Sequence, residues 1–284
     1  MTNCWMGPLL SLVFAASALA GPSPALPGSP FPDALEAAAI TQDRLDSICE
    51  NSLILGNGDL NGLLYAGDGG LVLRITKNDV WDARIDTSGD PETTTIDIKG
   101  WKTNGSKGSW SSWRKPYPCP RTCALVTFKS AKGEAPARSV LDLHRAVARV
   151  QSQGQGPAQT EVRALSHRNA FLIDSPAEAT LKAIESPHLP AAEQGAGKGV
   201  AWLTQRIEGD PDWPGMTFAV ALASAGDRKA VAVVTSRESK DPLGKAVALA
   251  RATAASDTAL IQKHDDDWRV FWAASGVKLD DAAL

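Results

Sequence analysis

The stretch GNGDLNGLLYAGDGGLVLRITKNDVWDAR, residues 56–84, places two apolar runs on either side of Gly67-Asp68-Gly69-Gly70. Asp-Gly followed by glycine is turn chemistry that tolerates positive φ, so the runs at 60–66 and 71–76 are predicted to form a hairpin, with a further strand at 52–55. Gly56-x-Gly58-x-x-x-Gly62 superficially resembles a dinucleotide-binding fingerprint, but that motif needs a helix N-terminus after its glycines to hold the pyrophosphate, and here a strand follows. Asp59, Asp68, Asp79 and Asp82 lack the D-x-D-x-D-G spacing of a calcium loop.

Downstream, strand-like segments recur at 124–128, 139–143, 146–151, 161–165, 170–173, 180–184, 200–207, 217–223 and 230–235. Several are bounded by turn residues, as at His167-Arg168-Asn169, Asp174-Ser175-Pro176 and Gly226-Asp227-Arg228. Strands at this spacing without intervening helices predict a mainly β protein, a large antiparallel β-sandwich. Residues 86–118 are rich in Thr, Ser, Gly and Lys and read as a long loop with one strand at 94–98.

The pattern changes after Thr235. Asp241-Pro242 opens an Ala- and Leu-rich segment that reads as a helix, and Ser256 or Asp257 can cap a second. In that second helix Leu260, His264, Trp268 and Trp272 recur every fourth residue beside Ile261 and Phe271, an apolar stripe that requires a partner surface.

Upstream, residues 9–20 are apolar and end in Ala18-Leu19-Ala20, the form of a secretory signal peptide over residues 1–20. The expected location is therefore the periplasm or the extracellular space. Residues 21–33 read as a Pro/Gly/Ser-rich lead-in, and a weak helical pattern occupies 33–50. The sandwich is expected over 34–238 and linker helices over 239–284. In 284 residues the formal charge is −3 with basic residues dispersed, which gives no face for nucleic acid or anionic lipid, and neither is expected as a partner.

Signal cleavage leaves Cys49, Cys119 and Cys123. Cys119-Pro-Arg-Thr-Cys123 is either a small disulfide loop or a reduced pair in a turn. His144, His167, His188 and His264 are dispersed without ligand spacing, so no metal and no cofactor is expected. Glycoside hydrolysis needs two carboxylates facing each other across a sugar. The sequence offers only the clusters Asp79/Asp82 and Asp265-Asp266-Asp267, and no G-x-S-x-G or Cys-His pairing stands in for them. Trp101, Trp110 and Trp113, in a polar loop, are the candidates for a sugar-stacking platform.

Ile54-Leu55-Gly56-Asn57-Gly58, then Asn61-Gly62, then Ile75-Thr76-Lys77-Asn78-Asp79-Val80-Trp81-Asp82 resembles the N-terminal β-sandwich domain of glycoside hydrolase family 95 and of its secreted bacterial relatives of undefined function. Leu141-Asp142-Leu143, and His264, Trp268, Phe271 and Trp272 with Ser275 to Leu279, are similar to the family's later strand pair and linker helix. The resemblance implies a modular enzyme whose catalytic carboxylates sit in an (α/α)6 barrel after the linker, so no catalytic residue is carried over to this chain. It implies a non-catalytic sandwich module of a carbohydrate-degrading protein, with a helical barrel and a poly- or oligosaccharide as partners. A stand-alone carbohydrate-binding module and a small complete glycosidase are the alternatives. For Asn57, Asn61, Asn78, Asp79 and Trp81 two roles are open. Asn78 and Asp79 either end the hairpin by bonding their own backbone while Trp81 fills the sandwich edge, or they line the crevice between sandwich and barrel. On the linker helix His264, Trp268, Phe271 and Trp272 are expected to form the interdomain face.

Overall fold

A computed structural model describes residues 31–67, 69–84, 118–129, 136–152, 159–186 and 188–276. The expected signal peptide, most of the lead-in, the strand at 94–98 and Trp101, Trp110 and Trp113 lie outside the described residues. Two antiparallel sheets face each other. One runs β1 (Ile40–Gln42), β6 (Pro136–Asp142), β7 (Val147–Ser152), β8 (Gln159–Ala164), β9 (Ala170–Asp174), β14 (Arg228–Thr235), β13 (Met216–Ala225), β12 (Val200–Ile207) and β11 (Glu193–Gly197). The other runs β10 (Ala179–Lys182), β5 (Cys119–Lys129), β4 (Gly70–Asp82), β3 (Leu60–Gly67) and β2 (Leu53–Gly56). The protein is a mainly β sandwich with C-terminal helices, as its strand spacing predicts.

Period-two alternation decides what each face buries. Leu53, Leu64, Leu73 and Val126 are in register across the smaller sheet and all point inward. Opposite them, Phe171, Val231 and Leu222 face in from the larger sheet. Burying a side chain of this size stabilises by roughly 1.5–3 kcal/mol. Gly62 belongs to this design, because a Cβ there would stand 2.8 Å from the Phe171 ring. Its bare backbone admits the phenyl group between the sheets.

The outer face of the larger sheet is different in kind. Ala219, Ala221, Ala223, Ala230 and Ala232 form an alanine surface, on which α1's distant successor α2 (Pro242–Ala254) lays Ala246, Ala250 and Ala254. The short α1 itself spans Pro32–Ala37. Small residues on both partners let the α2 backbone approach the sheet closely. Asp241 caps α2, its Oδ1 accepting from the Gly244 N–H at 2.8 Å, and Pro242 occupies the first turn. The next helix, α3 (Ala259–Ala274), begins after Thr258, and Asp257 accepts from the Ala259 N–H at 2.8 Å.

Four expectations need correction. The helix expected over 33–50 is confined to α1, because residues 40–42 pair with β6 as β1. Strand β4 does not stop before Asn78; it runs to Asp82 through register irregularities, with Trp81 opposite Pro120. Asn78 and Asp79 are therefore strand residues, and Trp81, 40% exposed, does not fill the sandwich edge. Cys119 and Cys123 are both free. Three residues of one strand lie between them, a step of about 13 Å and about twice a disulfide's span, so the two thiols, both in β5, do not bridge each other.

Candidate functional site

Two segments far apart in sequence meet at one crevice of about 310 Å³, lined by Gly56, Asn57, Gly58, Ser166, Asp267, Trp268 and Phe271. One wall is the β2–β3 turn. Gly58 has φ +92°, which favours glycine, and the Asn57 carbonyl oxygen Oδ1 accepts from the N–H groups of Asp59 at 3.0 Å and Leu60 at 2.7 Å. The Asn57 amide Nδ2 donates to the carbonyls of Leu165 at 2.9 Å and Arg168 at 3.1 Å. One asparagine thus shapes its own turn and ties it to the β8–β9 turn.

The other wall is α3, clamped to the sandwich by its stripe. His264 is fully buried; its Nδ1 accepts from the Ser166 N–H at 3.3 Å and its Nε2 donates to the Arg145 carbonyl at 2.8 Å. That pattern requires the neutral ring with the proton on Nε2, and burial lowers the pKa to about 4. Trp272 donates its Nε1–H to the Leu143 carbonyl at 2.9 Å, and Arg145 pairs with Asp265. His264 and Trp272 therefore contact the sandwich itself. Phe271, 49% exposed, and Val270 are what α3 still presents outward. Phe271 stacks edge-on against Trp268, with ring centroids 5.3 Å apart.

The polar groups in the crevice come from a cluster invisible in the sequence. Ser166 Oγ donates to Asp267 Oδ2 at 2.8 Å, and His167 Nδ1 lies 3.8 Å from the same oxygen. Burial opposes ionisation of Asp267, but hydrogen bonds from Lys263 and Ser166 outweigh it and hold its pKa below the usual range. Burial and the charge of Arg168 lower the His167 pKa. Ser166 Oγ also lies 3.4 Å from His167 Nδ1, so both the carboxylate and the imidazole face the hydroxyl, unlike a Ser-His-Asp triad in which the imidazole stands between serine and carboxylate. The buried N–H of Trp268 and Nε2 of His167 have no hydrogen-bond partner among the described residues.

Behind the turn lies a second polar knot. Lys77, 3% exposed, points between the sheets, with Asp79 Oδ1 at 2.7 Å, Asp59 Oδ2 at 2.8 Å and Glu238 Oε1 at 3.5 Å. Burial alone would lower the Lys77 pKa; the bonds from Asp59 and Asp79 and the charges of Asp79 and Glu238 raise it instead. Asn169 Nδ2 bridges Asp59 at 2.8 Å and Glu238 at 3.1 Å, and the Thr235 hydroxyl donates to Asp79 at 2.6 Å. Asn61 Nδ2 donates to Asn78 Oδ1 at 2.9 Å, while Asn78 Nδ2 donates to the Gly58 carbonyl at 2.6 Å. Of the five motif residues, only Asn57 lines the crevice. Asn61 and Asn78 brace the turn, Asp79 belongs to the Lys77 knot, and Trp81 is separate from both.

Chemically, the crevice offers an aromatic pair, a hydroxyl and one ionised carboxylate. Two-carboxylate hydrolysis requires an opposing acid, and among the residues lining the crevice Asp267 is alone. Among the described residues there is no group of three His, Cys, Asp or Glu able to hold a metal ion. No described helix is long and apolar enough to cross a membrane. The sequence matches no known protein-family model, and no curated protein resembles it at significant similarity.

Proposed function

We propose that this chain is a non-catalytic β-sandwich module of an exported, glycoside hydrolase-like protein that acts in carbohydrate degradation. The observation that carries the reading is convergence. The glycine turn and the linker helix, two of the segments on which the family resemblance rests, line one crevice. Phe271 and Val270 leave an apolar edge beside it, suited to a helical barrel continuing from α3. The chain contributes a shaped surface to that barrel, and the barrel contributes the paired carboxylates.

The test is hydrolysis of a panel of aryl glycosides by the purified chain, alone and joined to a helical barrel of the kind the proposal invokes. The chain alone is expected to be inactive and the longer protein active. Phe271→Asp in the longer protein should reduce turnover while leaving the sandwich folded. Hydrolysis by the chain alone that one Asp or Glu substitution abolishes would overturn the reading.

A second reading is favoured by one observation, the Trp268 N–H without a partner among the described residues, in a crevice that also holds Phe271, Ser166 and Asp267. This is the composition of a sugar subsite, a stacking ring with hydrogen-bonding groups at its edge. Titration with oligosaccharides, followed by tryptophan fluorescence in wild type and Phe271→Ala, separates it from the first. Saturable binding by the isolated chain, weakened in the variant, favours a stand-alone carbohydrate-binding module.

A further inference from the structure

A larger cavity, about 470 Å³, opens at the opposite end of the sandwich, between β10 and the ends of β12, β13 and β14. Register decides what lines it. Ala201 pairs with Leu222 and Ser224 with Lys229, and all four stand on the inward face that Leu222 shares with the core. Ala177 and Ala179 approach from the other sheet. The sheets do not close here because this end carries Ala201 and Ser224, where the middle of the sandwich carries Leu203 and Val220.

Lys229, 4% exposed, lies among these small residues. Its ammonium donates to the carbonyls of Ser175 at 2.5 Å and Asp227 at 3.2 Å. An ammonium has three protons to donate, and among the described residues no carboxylate pairs with this one. Burial lowers its pKa against the more distant charges of Asp227 and Asp174. Among the described residues this buried cation is held by neutral carbonyls, beside an open cavity of mostly small residues whose lining carboxylate, Glu178, pairs with Lys129 at 2.7 Å, and it is half of a charge-assisted pair.

We propose that this inter-sheet cavity binds a small organic carboxylate, its apolar body against Ala177, Ala179, Ala201 and Leu222 and its carboxylate on the Lys229 ammonium. The site is independent of the crevice at the glycine turn. The test is calorimetric titration of the whole chain at neutral pH with hexanoate, 1-hexanol and inorganic phosphate, in wild type, Lys229→Met and Ala201→Leu. Hexanoate should bind saturably, and hexanol and phosphate at least about tenfold more weakly, since a hydrogen bond to a charged group contributes about that factor. Each substitution should weaken hexanoate binding by a similar factor. Ala201→Leu fills the cavity while sparing Lys229 and its carbonyl partners, so it decides the matter if Lys229→Met does not fold. Absence of saturable hexanoate binding, equal binding of hexanol or phosphate, or unchanged affinity in Ala201→Leu would overturn the assignment.

Discussion

Lys77 and Lys229 are both buried, both on strands and both directed between the sheets, yet their surroundings are opposite. Strand β14 connects the two environments: Lys229 lies at its start, and Thr235, at its end, bonds the Asp79 that holds Lys77. Around Lys77 three carboxylates compensate the charge, and the surrounding turns are locked by Asn57, Asn61, Asn78 and Asn169. Around Lys229, among the described residues, carbonyls make the direct contacts and the nearest carboxylates act from a distance, and a cavity stands open. The difference shows where this fold holds its charge as architecture and where it leaves charge available to a ligand. The 56–82 stretch belongs to the first kind: Gly56, Asn57 and Gly58 build one wall of the crevice, and Asp59 and Asp79 pair with Lys77.

The comparison breaks most visibly if its compensated side is disturbed. Lys77→Met leaves Asp59, Asp79 and Glu238 facing one another without their cation, and should destabilise the protein by about 3 kcal/mol or more in urea unfolding at neutral pH. A loss below about 1 kcal/mol would mean that the knot is a solvated surface cluster.

His264 extends the comparison to a further buried base that, like Lys229, pairs with no carboxylate among the described residues. Its folded pKa, about 4, lies below the ordinary 6.5. The stability tied to its neutral form is therefore complete above pH 6.5 and is lost as pH falls through 4. That loss should approach about 3 kcal/mol. His264→Gln can keep both hydrogen bonds and should flatten this acid limb, as measured by unfolding between pH 4 and 7.

Lys229→Met should cost less than either, about 1–2 kcal/mol, because it deprives only two carbonyls of a donor and leaves no charge uncompensated. Smaller still is Trp272→Phe, which removes one N–H bond to the Leu143 carbonyl and should lower stability by about 1 kcal/mol while loosening α3 in hydrogen exchange.

Much of this architecture was legible in the sequence because alternation and turn residues report local geometry. The central strands, the β3–β4 hairpin and the two C-terminal helices follow from such signals. Strands β1 and β11 do not: Ile40-Thr41-Gln42 is too short to show a period, and Glu193-Gln194-Gly195-Ala196-Gly197 has no apolar face. Both are edge strands, held by backbone pairing to one neighbour. Asn78-Asp79 carries turn chemistry, but pairing of the flanking β4 residues with β5 keeps it in a strand. The site was half legible. Asn57, Trp268 and Phe271 carry motif or stripe signals, whereas Ser166 and Asp267 meet only because α3 folds back over the β8–β9 turn. The acids around Lys77 come from Asp59 through Glu238, so no local window contains them.

The most direct measurement is the cost of Lys77→Met and of Lys229→Met as functions of pH from 7 to 11. Lys77 has a raised pKa, so its contribution is full below about 10.5 and is lost as pH rises through the raised value. Lys229 has a lowered pKa, so wild type gains stability as pH rises from that value toward 10.5. The account predicts opposite slopes: the cost of Lys77→Met shrinks at the alkaline end, and the cost of Lys229→Met grows. Slopes of the same sign would contradict the division of the sandwich into a compensated end and an open one.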